Sequence, residues 1–304
     1  MRLTRKYLFA ACLSLITASM IISCQKELHG DLYPPPPVDT TGNQPTNTSR
    51  DSIYINSIAR TKLNGSQYDT MVKTFFTYDA QRRLKGWRDF PVTNADYLES
   101  MEFTYNGTDT LPYQARYTHK DVASPDSVIE MHYFFFDAAA RKTKDSVIKI
   151  NSASADNGGW VDRYYYPPGK SVTIGRWEDI NGVYNYADTA ILDANNNIVS
   201  AKFFSGSNYE YILQCTYQYD NKFHPFSRTN IYKAIPKNIG GGFPQKYNAF
   251  NNITYQKLNY FNINYVDEIS NTITYNRFDL PAIIDRVANH GNPYRLFLTY
   301  RSFN

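Results

Sequence analysis

The sequence predicts an all-β protein: an antiparallel meander of about eight repeated hairpins, closed or partly closed into a barrel or roll. Three observations predict it. Aromatic residues are heavily used, with 27 Tyr and 18 Phe in 304 residues, and such side chains suit a pleated, half-buried surface. An aromatic residue followed by Asp or Asn recurs at near-regular spacing. Helical periodicity is nearly missing; only Pro281 to Asn289 offers a short apolar stretch, and it is a poor helix.

The repeat starts near Ile53. Its marks are Tyr78-Asp79, Tyr105-Asn106, Phe136-Asp137, Tyr219-Asp220, Tyr247-Asn248 and Tyr275-Asn276, with degenerate copies at Tyr166-Pro167 and Leu192-Asp193. Successive marks lie 26 to 31 residues apart. A second aromatic often stands two residues earlier (Phe76, Phe103, Phe134, Tyr164, Tyr217), and an apolar residue returns six later (Leu84, Leu111, Val172, Ile198, Ile253). Residues two apart share one face of a strand. The Asp or Asn after the aromatic accepts turn geometry and hydrogen-bonds nearby backbone. Polar residues such as Ala80-Gln81-Arg82 then form the loop. Each unit is thus a hairpin, and eight units give on the order of 16 strands. Closure would remove the exposed edges of a long meander. Lys142-Thr-Lys-Asp-Ser-Val-Ile-Lys149 carries charges on both faces, whereas a transmembrane barrel needs an outward apolar band on every strand. A barrel in water is therefore favoured over its alternative, a barrel in lipid.

The segment Phe76-Thr-Tyr78-Asp79-Ala-Gln-Arg-Arg83-Leu84 resembles the YD repeats of Rhs-type shell proteins, with a longer period and without their Gly before Arg. The overall plan is similar to a set of uncharacterised Bacteroidota lipoproteins with a short linker and repeated Tyr-Asp hairpins. That resemblance implies a porin-like or barrel-like β fold and brings no functional residues with it.

The N-terminus supplies an address. Arg2, Arg5 and Lys6 precede an apolar run from Leu8 to Ile22. At about 15 residues it is short of the roughly 20 that a membrane span needs. Ile21-Ile22-Ser23-Cys24 resembles the lipobox of bacterial lipoproteins. The resemblance implies cleavage before Cys24, a multiply acylated cysteine, and partnership with a membrane through that lipid, in the cell envelope and at the outer membrane, on its periplasmic face or the cell surface. An ordinary secretory signal or an uncut anchor helix is the alternative. Residues 1–23 then form a signal peptide, residues 24–51 the lipidated Cys and a Pro-rich linker, and residues 52–304 the repetitive β domain. Tyr33-Pro34-Pro35-Pro36-Pro37 favours an extended, semi-rigid spacer; a docking ligand of PxxP type is the lesser reading.

Cleavage alters the charge argument. The full chain carries a net charge of +4, and the signal holds three basic residues and no acid, which leaves about +1. No nucleic-acid partner is implied. Of the three cysteines, Cys12 leaves with the signal and Cys24 is lipidated, so Cys215 has no partner for a disulfide. It reads as a small core residue.

Catalytic signatures are not found. There is no G-x-S-x-G elbow and no H-E-x-x-H, and none of His29, His119, His132, His224 and His290 are spaced i, i+4. No cofactor and no metal is expected, though distant histidines could still meet. Asp193-Ala-Asn195-Asn196-Asn197 opens like a calcium loop, but Ile198 stands where that loop needs Gly, so it reads as a hairpin turn. Gly240-Gly241-Gly242 reads as a flexible loop. Carboxylates from different strands could pair as in a glycosidase, but sequence does not select them. The one suggestive set is Trp87, Trp160 and Trp177, which lie in polar surroundings beside Asp162 and Asp179. Indoles there could stack on sugars while the acids bind hydroxyls; capping the ends of the β core is the plainer role. The function expected is a non-enzymatic binding module for a glycan, peptide or protein. A carboxylate-based glycoside hydrolase and a purely structural envelope component are the alternatives.

Overall fold

The computed structural model describes residues 53–303 apart from 65–66, 93–96, 122–126, 152–157, 167–170, 179–182, 196, 206–209, 228, 230–249 and 292, and at 97, 121, 151, 171–178, 183–188, 204–205 and 210–211 it describes backbone only. The chain divides into Met1–Asn47 and Thr48–Asn304. All described residues belong to the second unit, and the signal, Cys24 and the whole linker lie outside them.

That unit consists of strands. The first eight are β1 (Ile53–Asn64), β2 (Gln67–Tyr78), β3 (Leu84–Pro91), β4 (Tyr97–Thr104), β5 (Gln114–Asp121), β6 (Ser127–Phe136), β7 (Lys142–Asn151) and β8 (Gly158–Tyr165). The second eight are β9 (Ser171–Glu178), β10 (Val183–Leu192), β11 (Ile198–Ser205), β12 (Glu210–Phe223), β13 (Asn251–Tyr260), β14 (Tyr265–Tyr275), β15 (Pro281–Ala288) and β16 (Tyr294–Ser302). Each pairs antiparallel with its sequence neighbours, and β1 pairs with β16, which closes the barrel. Pro281 to Ala288 is thus a strand, since its inward residues pack beside β14 and β16.

The sequence marks stand where even strands give way to odd ones. At Asp79 the side chain accepts from the amides of Gln81 and Arg83, both at 2.9 Å, and the Asp79 amide donates to the Arg83 carbonyl at 3.0 Å. Asp137 makes the same bonds with Ala139 and Arg141, Asp193 with Asn195 and Asn197, and Asn276 with Phe278 and Leu280. In the loops of Asp79, Asp137 and Asn276 the third residue after the acid or amide turns left-handed, with φ of 65° at Arg82 and 58° at both Ala140 and Asp279. In each of these loops the aromatic or apolar mark pairs with the residue six later, and the next residue is bulged: Tyr78 with Leu84, Phe136 with Lys142, Leu192 with Ile198, Tyr275 with Pro281. The sixfold return noticed in the sequence is therefore a register partner. The bulge ensures that mark and partner both face inward.

Two details depart from the expected repeat. Tyr247-Asn248 lies outside the described residues, and the eighth even strand, β16, carries Tyr300 in the corresponding position. Between β12 and β13 lie residues 224–250, of which 228 and 230–249 are outside the described residues. Phe226, at the start of that segment, is 1% exposed and packs on Phe76 of β2 with ring centroids 5.1 Å apart. Six strand steps separate β2 from β12 around the ring, so Phe226 reaches into the barrel interior. The returning chain is held by amides: Asn197 Oδ1 accepts from the Phe250 and Asn251 amides at 2.8 and 3.0 Å.

Buried apolar residues form two inward clusters. One gathers Ile55, Phe76, Leu84, Trp87, Met101 and Phe103 with their neighbours from β5, β6 and β16. The other runs from Tyr164 through Cys215 to Ile269.

Candidate functional site

Between these clusters, the inward faces of β6, β7 and β8 hold ionisable side chains among the apolar ones. His132, on β6, is two residues before Phe134 and stacks on it with centroids 6.0 Å apart. Its Nδ1 lies 3.1 Å from Asp145 Oδ1, and its Nε2 lies 3.3 Å from Glu130 Oε2. Lys142 Nζ is 3.7 Å from Asp145 Oδ2 and stands over the rings of Phe134 and Tyr164, at 5.4 and 4.9 Å. Asp162 is the register partner of Asp145, and Trp160 Nε1 donates to Asp162 Oδ2 at 3.1 Å. His132, Lys142, Asp145 and Asp162 are all buried.

Local structure explains why Lys142 is inside. The register shift between Phe135 and Phe136 sets Lys144 opposite Phe135 on the outer face and Lys142 opposite Phe136 on the inner one. Without the bulge the two lysines would share a face. Lys142 occupies the position that Leu84, Ile198 and Pro281 fill in other units. A cation there breaks the repeat's own rule, and this substitution was the readable sign of the cluster. Its other members were hidden because they come from three strands.

Burial and charge compete at each group. Burial pulls the His132 imidazole toward neutrality, but the Asp145 carboxylate and then Glu130 outweigh it and hold the ring above its ordinary pKa. Burial pushes the Lys142 amine below its ordinary value, against the opposing pull of Asp145 and Asp162. The arrangement is a compensated set of charges. Its carboxylates are turned toward internal cations and shut off from solvent, which leaves Asp145 and Asp162 poorly placed to share a glycosidic bond.

The sequence-selected residues separate. Trp160 and Asp162 are brought together, but onto each other. Trp87 lies within β3, is 3% exposed, and packs between Phe76 and Phe103 at 6.5 and 5.6 Å; it is core, not a platform beside a loop. Gly86 next to it permits this, because a Cβ there would lie 2.1 Å from the Met101 carbonyl oxygen. Trp177 pairs in register with Val161, one position along from Trp160, and only its backbone is described. Asp179 and Gly240-Gly241-Gly242 lie outside the described residues, as does Cys24. Cys215 is buried, and burial pushes its thiol up to about 12, so it is an inert core residue. Among the described residues no group of three His, Cys, Asp or Glu could hold a metal ion, and no helix is long and apolar enough to cross a membrane.

No family model matches the chain. No curated protein matches it either. Solved structures do. A porin-like protein from Bacteroides vulgatus superposes with a TM-score of 0.46 at 10% identity, covering 82% of this chain and 99% of the other. A porin-like protein from Bacteroides uniformis gives a TM-score of 0.46 at 13% identity, covering 84% of this chain and 98% of the other.

Proposed function

We propose that this chain is a lipid-anchored protein of the cell envelope, held at the outer membrane through a lipid on Cys24, with a closed β-barrel that works in water as a non-enzymatic binding module. The observation that carries the reading is the outer face of the barrel. Arg88, Arg116, Lys144, Arg163, Lys202 and Lys257 all point outward from within their strands, beside residues that face the core. A lysine or arginine on the lipid face of a barrel costs about 2–4 kcal/mol at the bilayer midplane. Six of them weigh heavily against burial in lipid. A barrel that stays in water needs a separate attachment, and Cys24 behind its basic and apolar leader offers one. Residues 24–51 then serve as the spacer.

The ligand class we favour is a glycan, peptide or protein. Trp160 is the remaining aromatic candidate, since it is half-buried near the end of β8 away from the Asp-loops. Compensated burial of Asp145 and Asp162 gives the hydrolase reading no support. The anchor is tested by metabolic labelling with a palmitate analogue: label on the wild type and none on Cys24→Ala is expected, and label persisting on Cys24→Ala overturns the assignment. A glycan-array screen of residues 48–304 tests the ligand class.

A further inference from the structure

The outer face of β2 to β8 is sorted by charge. Lys73, Arg88, Arg116, Lys120, Lys144 and Arg163 point outward, whereas Asp89, Glu99, Glu130, Asp145 and Asp162 point inward. The single outward carboxylate among the described side chains of these strands is Glu102, which sits opposite Arg116 in the register. Between the cations stand bulky apolar side chains that the core does not use. Phe90 and Phe135 are 45% exposed, Ile148 48% and Tyr165 56%. They alternate with the charges: Lys73 lies over Phe75, Arg88 over Phe90 and Lys144 over Phe135, the last at 3.6 Å.

We propose that this face is a docking surface for an anionic lipid bilayer, which it meets without inserting. The inference rests on charge complementarity and on breadth, and does not depend on the lipid at Cys24. Seven adjacent strands spaced about 4.8 Å apart make a face roughly 30 Å wide. A linear anionic polymer touches one track across such a face. The face curves with the barrel, so a bilayer surface engages several neighbouring strands together, pairing phosphates with cations such as Arg88, Arg116 and Lys144 and taking Phe90 and Phe135 into the headgroup region. Binding through dispersed cations weakens with salt, because the separations exceed the Debye length as ionic strength rises.

The test uses residues 48–304, which contain the whole closed sheet as one compact unit and lack Cys24. Co-sedimentation is measured with vesicles of phosphatidylcholine alone and with vesicles that include phosphatidylglycerol. The expected result is binding to the anionic vesicles only, lost at high salt. The double variant Arg88→Glu/Lys144→Glu should weaken it by at least about tenfold. Lys202→Glu, on β11 outside this face, should leave it within about twofold. Equal binding to both vesicle types, no binding to either, or capture by dextran sulfate without vesicle binding would each overturn the proposal. So would equal loss in the Lys202→Glu control. Because Cys24 is not in this fragment, failure here leaves the anchor assignment standing, and failure of palmitate labelling leaves this surface standing.

Discussion

The Tyr105 hydroxyl donates to the carbonyl oxygen of Leu84 at 2.7 Å, and Leu84 is the register partner of Tyr78 one unit earlier. The relationship recurs. Tyr166 reaches Lys142, Tyr219 reaches Ile198 and Tyr300 reaches Pro281, at 2.8, 2.7 and 2.6 Å. Each acceptor is the sixth residue after the preceding mark. Arginine reinforces the link: Arg83 stacks on Tyr105 at 4.3 Å and Arg141 on Tyr166 at 4.7 Å. Closure uses the same chemistry, since Tyr78 donates to Ile55 and Arg301 stacks on Tyr78. The mark thus does two jobs, ending its own strand and fastening its unit to the one before.

Removing one hydroxyl should therefore loosen one joint. Tyr105→Phe and Tyr219→Phe should each lower unfolding free energy by about 1 kcal/mol. The two sites lie in different clusters, so the effects should add. Urea unfolding of both single variants and the double variant measures this. Unchanged midpoints would show that the backbone ladder holds the units without the tyrosines.

The loop acid should matter as an acceptor more than as a charge, because Asn276 fills the same place. Asp137→Asn should be nearly neutral, whereas Asp137→Ala leaves two amides without their acceptor and should cost about 1–2 kcal/mol. Hydrogen bonds from Arg141 hold the Asp137 carboxyl below its ordinary pKa. Its contribution is therefore complete above the ordinary carboxylate pKa and fades as pH falls through the lowered value. Asp137→Asn should lack this acid-side dependence, which urea titrations at several pH values would detect.

The hairpin repeat was legible because its parts are local. Tyr78-Asp79 and Phe136-Asp137 lie next to each other in sequence, and the loop bonds span four residues. The count of eight was also legible, although Tyr247 is replaced by Tyr300 as the eighth. Tyr300 is followed by Arg301, not Asp, and lies on the strand that pairs with β1 at the closing seam. The interior cluster was not legible in the same way. His132, Asp145 and Asp162 come from three strands, and their meeting depends on register and on the bulge at Phe136. Trp87 misled because Lys85, Arg88 and Asp89 make its surroundings look like a polar loop. On the strand Arg88 points to the opposite face, while Asp89 shares the inward face with Trp87 and accepts from Thr74, and the indole goes to the core.

Gly86→Ala offers a direct test of that packing. The added methyl would meet the Met101 carbonyl, a backbone atom on the neighbouring strand. Strands β3 and β4 would have to separate, at a cost of about 1–3 kcal/mol. Tryptophan fluorescence should shift to the red as Trp87 gains water. A spectrum and melting curve equal to the wild type would show that the strands yield freely here.

Lys142 is the cation on which two buried carboxylates depend. Lys142→Met keeps the stem and removes the charge, so Asp145 keeps His132 but loses its second cation, and Asp162 loses its nearby counter-charge. Breaking a buried pair from one side costs about 3–5 kcal/mol. The triple variant that also carries Asp145→Leu and Asp162→Leu should recover much of the loss. If Lys142→Met alone is as stable as the wild type, the cluster contributes packing and little electrostatics.

His132 should make stability depend on pH. Burial opposes its protonation, but Asp145 and Glu130 prevail and raise its folded pKa above the ordinary value of about 6.5. A group raised on folding stabilises in full below its unfolded pKa, and that stabilisation is lost as pH rises through the folded value. Lys142 runs the other way. Its folded pKa is depressed, so the penalty for keeping it charged is relieved as pH climbs from that value toward the unfolded one. His132 therefore contributes a decline in stability on leaving mildly acidic pH, which Lys142 opposes at higher pH. In His132→Gln that decline should flatten, because the glutamine still offers a hydrogen bond to Asp145 but cannot titrate. Urea midpoints from about pH 5 to pH 9 for both proteins provide the comparison. Parallel curves would place the titration on some other group.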